Sequence, residues 1–304
     1  MDAVTIAEAH FHISFKKVGP TEYRSMNGCP QCGDGGKGAR SDRFRLFDDD
    51  KPLVWCRKCG YQAFIDNLDG ARQLTEAEKL ELRLRSIERK QAETERRLTA
   101  LEEMARCTDH LAYHRNMQDE AWLYWNQQGM LNETITRYQL GYCQRCPLDH
   151  EGRPSYTIPV INGGKLRNIR HRIQGASNGD KYRPHRAGLP ATLFNADNVA
   201  RKAPSIMVLE GEKKSIVAEQ SGFLSVGTMG SASFNLAWAR RFDNFKTVYV
   251  AYDPDAIEKA ATVAALFSGR GRVVSFPEKF DDFVNIYGAT PYDIGHYIAH
   301  ARPM

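Results

Sequence analysis

Two apolar runs in the C-terminal third of the chain end in acids. Ile206-Met207-Val208-Leu209 leads into Glu210-Gly211, and Thr247-Val248-Tyr249-Val250-Ala251-Tyr252 leads into Asp253-Pro254-Asp255. Short continuous apolar runs fit strands buried on both faces of a parallel sheet, each carrying its acid at the C-terminal end. Ligands of open α/β sheets bind at that edge. Gathering Glu210, Asp253 and Asp255 there concentrates like charge, a cost that divalent cations remove. Such a cluster suits chemistry assisted by a divalent metal. The plainer alternative is that Glu210 and Asp255 cap helices that follow the strands.

Cysteine supplies the second pattern. Cys29-Pro-Gln-Cys32 and Cys56-Arg-Lys-Cys59 are two CxxC couplets, each followed by glycine, Gly33 and Gly60. Glycine lets the chain turn so that amides face the sulfurs, and four thiolates suit a closed tetrahedral Zn²⁺ site. The 23 residues between the couplets leave room for a ribbon, with one strand over 42–47 and the next over 53–55. A core this small also needs a metal staple. Arg43, Phe44, Arg45 and Trp55 lie on those strands, with Arg57 and Lys58 in the second knuckle. Cations beside aromatics suit single-stranded nucleic acid; the same aromatics could instead fill the ribbon's core under solvated cations. A third couplet, Cys143-Gln-Arg-Cys146, stands apart. With Cys107 and His110 it makes a second metal set only if the fold joins two separate segments; otherwise these are free thiols.

Between ribbon and acids lie the elements that must position them. Residues 72–106 contain neither Gly nor Pro, with nine basic and eight acidic residues. Leu80, Leu84, Ile87, Gln91, Thr94, Leu98, Leu101 and Ala105 form a heptad seam with a polar middle, which predicts one long arm, a helical hairpin or a short dimeric coiled coil. Gln128–Tyr142 is helical in pattern with Asn132 as N-cap. Ser155–Ile161, Gly163-Gly164 and Lys165–Ile173 read as a hairpin whose second strand alternates cations with apolar residues. Nine of the 22 residues from 165 to 186 are Lys, Arg or His, among them Arg167, Arg170, Arg172 and Lys181, the last followed by Tyr182. Beside an acidic metal cluster, such a strand is read as a phosphate-binding surface rather than a solvated face.

These motifs together resemble the TOPRIM-type DNA primases of bacteria and phages. Two strands ending in EG and DxD resemble the TOPRIM domain itself. C-P-x-C-G, then D-R-F-R, then W-C-R-x-C-G is similar to the primase zinc ribbon. Gln128–Tyr142 resembles the segment "GLSxETIxxFxLGY" that opens the primase core, and Ile158-Pro159 to Arg172, Lys181-Tyr182 and Leu193-Phe194 to Ala200 continue the likeness. The resemblance covers about residues 25–68 and 125–290. It implies an α/β chain organised as a zinc ribbon over 1–70, a charged helical linker over 71–108, a basic subdomain over 109–202 and a TOPRIM catalytic domain over 203–304. It implies synthesis of short RNA primers on single-stranded DNA from nucleoside triphosphates. Glu210 would be general acid or base, and Asp253, Asp255 and Asp282 would join it around Mg²⁺ or Mn²⁺. Arg172 and Lys181 would hold triphosphate or template, and Arg43, Arg45, Trp55 and Lys58 would read the start site. A TOPRIM nuclease and a non-catalytic single-stranded-DNA-binding module are the rival readings.

The sequence departs from the family's pattern at three places. Lys214 stands where an aspartate usually follows the glutamate, Glu258 stands where glycine usually follows the DxD, and Lys279-Phe280-Asp281-Asp282 lacks the first aspartate of the last acidic motif. No GxxxxGK[ST] occurs, so a replicative helicase would act in trans.

The 304 residues, 26% charged with a net charge of +5, bound one or two compact domains plus a small module. No run reaches the ~18 apolar residues of a membrane helix. No basic n-region precedes an apolar core, and three CxxC couplets argue for a reducing compartment, so a cytoplasmic protein is expected, and the resemblance implies a bacterial or phage-infected cell.

Overall fold

The computed structural model describes residues 2–34, 43–70, 72–73, 76–177 and 181–304, which form two compact units, Met1–Thr94 and Glu95–Met304. In the first unit, strands β1 (Phe15–Lys17), β2 (Glu22–Ser25), β3 (Phe44–Phe47), β4 (Leu53–Cys56), β5 (Tyr61–Phe64) and β6 (Arg72–Gln73) make an antiparallel sheet in chain order. Asp42, expected to open the third of these, lies outside the described residues. Alternation decides the faces: Phe44, Leu46, Val54 and Cys56 are buried, while Arg45 and Trp55, paired across the ladder, share the opposite face. Helix α1 (Ala3–Phe11), capped by Asp2 through the Thr5 amide, closes the core with Ala7, and Phe11 sets its edge against Phe44. The N-terminal segment is thus part of the ribbon's core, which its unpatterned sequence does not announce.

Helix α2 (Glu76–Arg106) is continuous over 31 residues, about 46 Å at 1.5 Å per residue, so residues 76–106 are no hairpin. Its expected seam is open to solvent: Leu80, Leu84, Ile87 and Leu98 are 51–57% exposed. Its C-terminal turn is anchored, where Met104 packs on Leu166 and Ile169.

In the second unit, helices α3 (Asp109–Arg115), α4 (Asp119–Gln127) and α5 (Asn132–Arg137) precede a four-stranded antiparallel sheet of order β10-β9-β8-β7, built from β7 (Gly141–Cys143), β8 (Ser155–Asn162), β9 (Lys165–Ile173) and β10 (Tyr182–Pro184). The expected helix over Gln128–Tyr142 is corrected: α4 stops before Gln128, Gly129 turns at φ +81, α5 takes six residues and the rest enters β7. The N-cap is Leu131, and Asn132 instead accepts from the Asn126 amide at 3.0 Å. Glycine at the end of α4 ends a helix because only it takes a left-handed turn cheaply. The predicted β8–β9 hairpin is present, with Gly163 and Gly164 in the turn and a register shift at Val160/Ile161.

The last sheet has order β12-β11-β13-β14-β15, from β11 (Ser205–Glu210), β12 (Ser225–Thr228), β13 (Thr247–Ala251), β14 (Gly271–Val273) and β15 (Arg302–Pro303); all pairs are parallel except the edge pair β14–β15. Helices α6 (Glu212–Gln220), α8 (Ile257–Ala265) and α9 (Phe280–Asn285), with the short α7 (Leu236–Ala239) and the C-terminal α10 (Pro291–Ala299), surround it. On β11, Met207 and Leu209 enter the core that holds Ile216 and Val217 of α6. Ile206 and Val208 enter the other, with Ala260 and Val263 of α8. Burial on both faces is why these strands read as unbroken apolar runs. The fold is the expected mixed α/β arrangement with a parallel sheet.

Candidate functional site

In the ribbon, Cys29 Sγ lies 3.8 Å from Cys59 Sγ, and Cys32 Sγ lies 3.8 Å from Cys56 Sγ. A tetrahedral zinc with Zn–S bonds of about 2.3 Å has edges of about 3.8 Å. Gly33 and Gly60 turn at φ +67 and +76, and the amides of Gln31, Asp34 and Tyr61 face the sulfurs of Cys29, Cys32 and Cys59. The four-cysteine cluster therefore fits zinc.

The ribbon's open face carries Arg45 and Trp55, with the Arg57 guanidinium 5.7 Å from the Trp55 ring. Phe44, 1% exposed, belongs to the core instead. Acids hold the neighbouring cations: Arg45 pairs with Glu22 at 2.6 Å, and Lys58 with Asp34 at 2.9 Å. Arg43 lies 3.8 Å from the same Asp34 and stays half exposed.

In the second unit, a cavity of about 510 Å³ opens where the C-terminal edge of the parallel sheet meets β9 and β10. The sheet side supplies Glu210, Gly211, Lys213, Lys214, Asp281 and Asp282; the other side supplies Arg170, Arg172, Lys181 and Tyr182. Register puts Arg172 opposite Tyr182 and Arg170 opposite Pro184, so both arginines and Tyr182 share the cavity face. Arg167 lies on the same strand but outside the cavity. Asp253, which N-caps the 3₁₀ turn after β13, and Asp255, exposed in that turn, also stand off its wall. Glu258 is exposed in the first turn of α8 and does not reach it.

Asp253 joins the site through Lys214, whose ammonium lies 2.8 Å from Oδ1 and donates to Oδ2 at 3.0 Å. Burial works against the charge on Lys214, but Asp253, Asp281 and Glu210 outweigh it and hold its pKa above the usual lysine value. Lys213 likewise pairs with Asp281 at 2.5 Å and donates to Gln128 at 2.9 Å. Burial pushes Asp281 upward, yet Lys213 and Lys214 bring it below the usual carboxylate value. Glu212 is buried and shifted upward by that burial against the partial relief of Arg170, 3.3 Å away without hydrogen-bond alignment. Arg172 has no ion-pair partner among the described residues and lies over the Tyr124 ring, itself stacked on Tyr156. Burial, then Arg172, Lys213 and Lys279, depress Lys181 below its usual value. Such crowding of cations favours an anion between them.

The acids also fit a hard divalent cation. Asp281 Oδ1 is buried without a hydrogen-bond partner, Asp253 offers its carboxylate only against Lys214, and every donor here is a carboxylate oxygen. Sequence reasoning passed over Lys213, Asp281 and Gln128. Asp281 lay inside the KFDD motif but was overshadowed by its neighbour, and no local signal marks Gln128. The proposed grouping of Cys107 and His110 with Cys143 and Cys146 does not form: Cys143 and Cys146 meet His171, and Cys107 meets Asp109 and His185.

No protein-family model matches the sequence, and no curated protein is similar to it in sequence. Solved structures do match. The DnaG primase catalytic domain bound to single-stranded DNA superposes with a TM-score of 0.52 at 17% identity, over 64% of this chain and 79% of that one. The Aquifex aeolicus primase, comprising zinc-binding and RNA polymerase domains, matches at TM-score 0.50 and 15% identity over 100% of this chain and 84% of that one. The RNA polymerase domain of Mycobacterium tuberculosis primase DnaG in complex with double-stranded DNA matches at 0.51 and 15%, over 64% and 78%. The chain therefore has the fold of DnaG-type primases, zinc-binding and RNA polymerase parts together. Among the described residues no helix is long and apolar enough to cross a membrane.

Proposed function

We propose that this chain is a TOPRIM DNA primase, a nucleotidyltransferase that makes short RNA primers on single-stranded DNA. The observation that carries the reading is one cavity that sets Glu210, Asp281 and Asp282 across from Arg170, Arg172 and Lys181. Arg172 and Lys181 hold the triphosphate of an incoming nucleotide, while Tyr182 lines the base of that wall. Glu210, Asp281 and Asp282 hold Mg²⁺ or Mn²⁺, which when bound would offset charge developing on the phosphoryl group. Asp253 joins them when Lys214 releases it, and Asp255 and Arg167 act outside the cavity, toward template. Glu210 takes the proton as the 3′-hydroxyl attacks the α-phosphorus and pyrophosphate leaves. The zinc ribbon presents Trp55, Arg45, Arg43 and Lys58 to the template, and a replicative helicase acts in trans.

One observation favours a second reading. Lys214 sits on both oxygens of Asp253, as a built-in cation would in a chain that binds nucleic acid without catalysis. The test incubates the protein with mixed-sequence single-stranded DNA, labelled nucleoside triphosphates and Mg²⁺ or Mn²⁺, beside Glu210→Gln and Cys56→Ser. Template-dependent oligoribonucleotides lost in both variants support primase. Cleavage of the template instead moves the assignment to nuclease, and DNA binding without either product moves it to the binding module.

A further inference from the structure

The third CxxC couplet does not belong to the cavity. Cys143 ends β7, and the chain turns through Gln144-Arg145 to Cys146 against the face of the four-stranded sheet opposite Arg170 and Arg172. There β9 places His171, between those two arginines in sequence and on the other side of the strand. The sulfurs of Cys143 and Cys146 and a nitrogen of His171 all lie within 4.8 Å of one another.

We propose that Cys143, Cys146 and His171 bind a second structural Zn²⁺. Cys146 Sγ to His171 Nδ1 is 3.5 Å. That is about the edge of a tetrahedron with one Zn–S and one Zn–N bond of typical length. The turn repeats the ribbon's knuckles: the amides of Arg145 and Leu148, two residues beyond each cysteine, face the sulfurs as those of Gln31, Asp34 and Tyr61 do in the ribbon. Cys143, Cys146 and His171 are 6%, 1% and 0% exposed. Ser155 Oγ, also fully buried, lies 2.9 Å from Nδ1.

The other imidazole nitrogen is oriented as a metal ligand's would be. His171 Nε2 meets His185 Nδ1 at 3.1 Å, and His185 Nε2 meets Asp109 at 3.4 Å, which fixes the ring through a histidine and a carboxylate. Burial of all three donors closes the site to substrate, so its work is structural. The ion ties β7 and the knuckle loop to β9, directly behind the strand that carries Arg170 and Arg172 into the cavity.

The experiment counts zinc by mass spectrometry in the full chain after dialysis against a mild chelator. Wild type is expected to hold two ions, Cys29→Ser/Cys56→Ser one, Cys143→Ser/Cys146→Ser one, and the quadruple variant none. The ribbon variant leaves residues 95–304 untouched, so its count decides the matter even where the second variant fails to fold. On titration with Co²⁺, that ribbon variant should show a thiolate-to-cobalt charge-transfer band scaled to two sulfurs. A folded ribbon variant that retains no zinc and gives no such band overturns the proposal.

Discussion

Replacing Lys214 by methionine keeps the stem and removes the charge. Lys214 and Asp253 side chains are 13% and 12% exposed, and Asp281 and Glu210 press on the same ammonium. Removing one member of a buried pair leaves the other uncompensated, which costs about 3–5 kcal/mol. With three acids left facing one another, we expect Lys214→Met to lose at least about 3 kcal/mol in chelator at neutral pH. In a unit of this size that lowers the midpoint of thermal unfolding by about 6–12 °C. The acids then become a better cation site. Mg²⁺ or Mn²⁺ at about a hundred times its dissociation constant returns about 2.7 kcal/mol. Wild type gains much less from the same addition, because the cation must first displace the lysine. Denaturant unfolding of both proteins, with chelator and with each cation, measures all six values. A loss under about 1 kcal/mol in chelator would mean that the pair is effectively solvated. A full loss that neither cation repairs would mean that these acids do not bind metal, and the catalytic reading would fall with it.

Four shorter predictions follow from particular contacts. Gly129→Ala sets a methyl 1.5 Å from Asn285 Oδ1 at φ +81, and about 2–3 kcal/mol of stability should be lost in denaturant unfolding. Trp55→Ala should weaken single-stranded-DNA binding by about 1–3 kcal/mol, measured by anisotropy, with ribbon zinc unchanged. Arg172→Ala should weaken binding of nucleoside triphosphates and, if Arg172 contacts template phosphate, lower the slope of log affinity against log salt by about one. Burial holds His110 below its usual value against the partial relief of Asp109. With a depressed folded-state value, its contribution is present above about pH 6.5 and lost as pH falls below that. A His110→Gln chain should therefore show a flatter stability profile between about pH 6.5 and 5 than wild type.

Patterns that are local were legible in the sequence. Cys29, Cys32, Cys56 and Cys59 with their glycines specified a four-thiolate site because knuckle geometry is set within four residues. The runs before Glu210 and Asp253 specified parallel strands because a strand covered on both faces has no polar side to show. The β8–β9 hairpin followed from its glycine turn and alternating cations. Fold class and the cationic character of β9 thus followed from residue type and spacing. What faces what did not. Lys214 closes on Asp253 although 39 residues separate them, and Lys213 reaches both Asp281 and Gln128. Whether an acid at a strand end lines the cavity, as Glu210 does, or turns aside, as Asp255 does, depends on where the following turn sends the chain. His171 reads in the sequence as one more cation between Arg170 and Arg172. The two-residue period of β9 turns it away from them, onto the cysteines that β7 carries to the other face. Spacing determines which side chains can act together within one element; the packing of separate elements decides which of them meet.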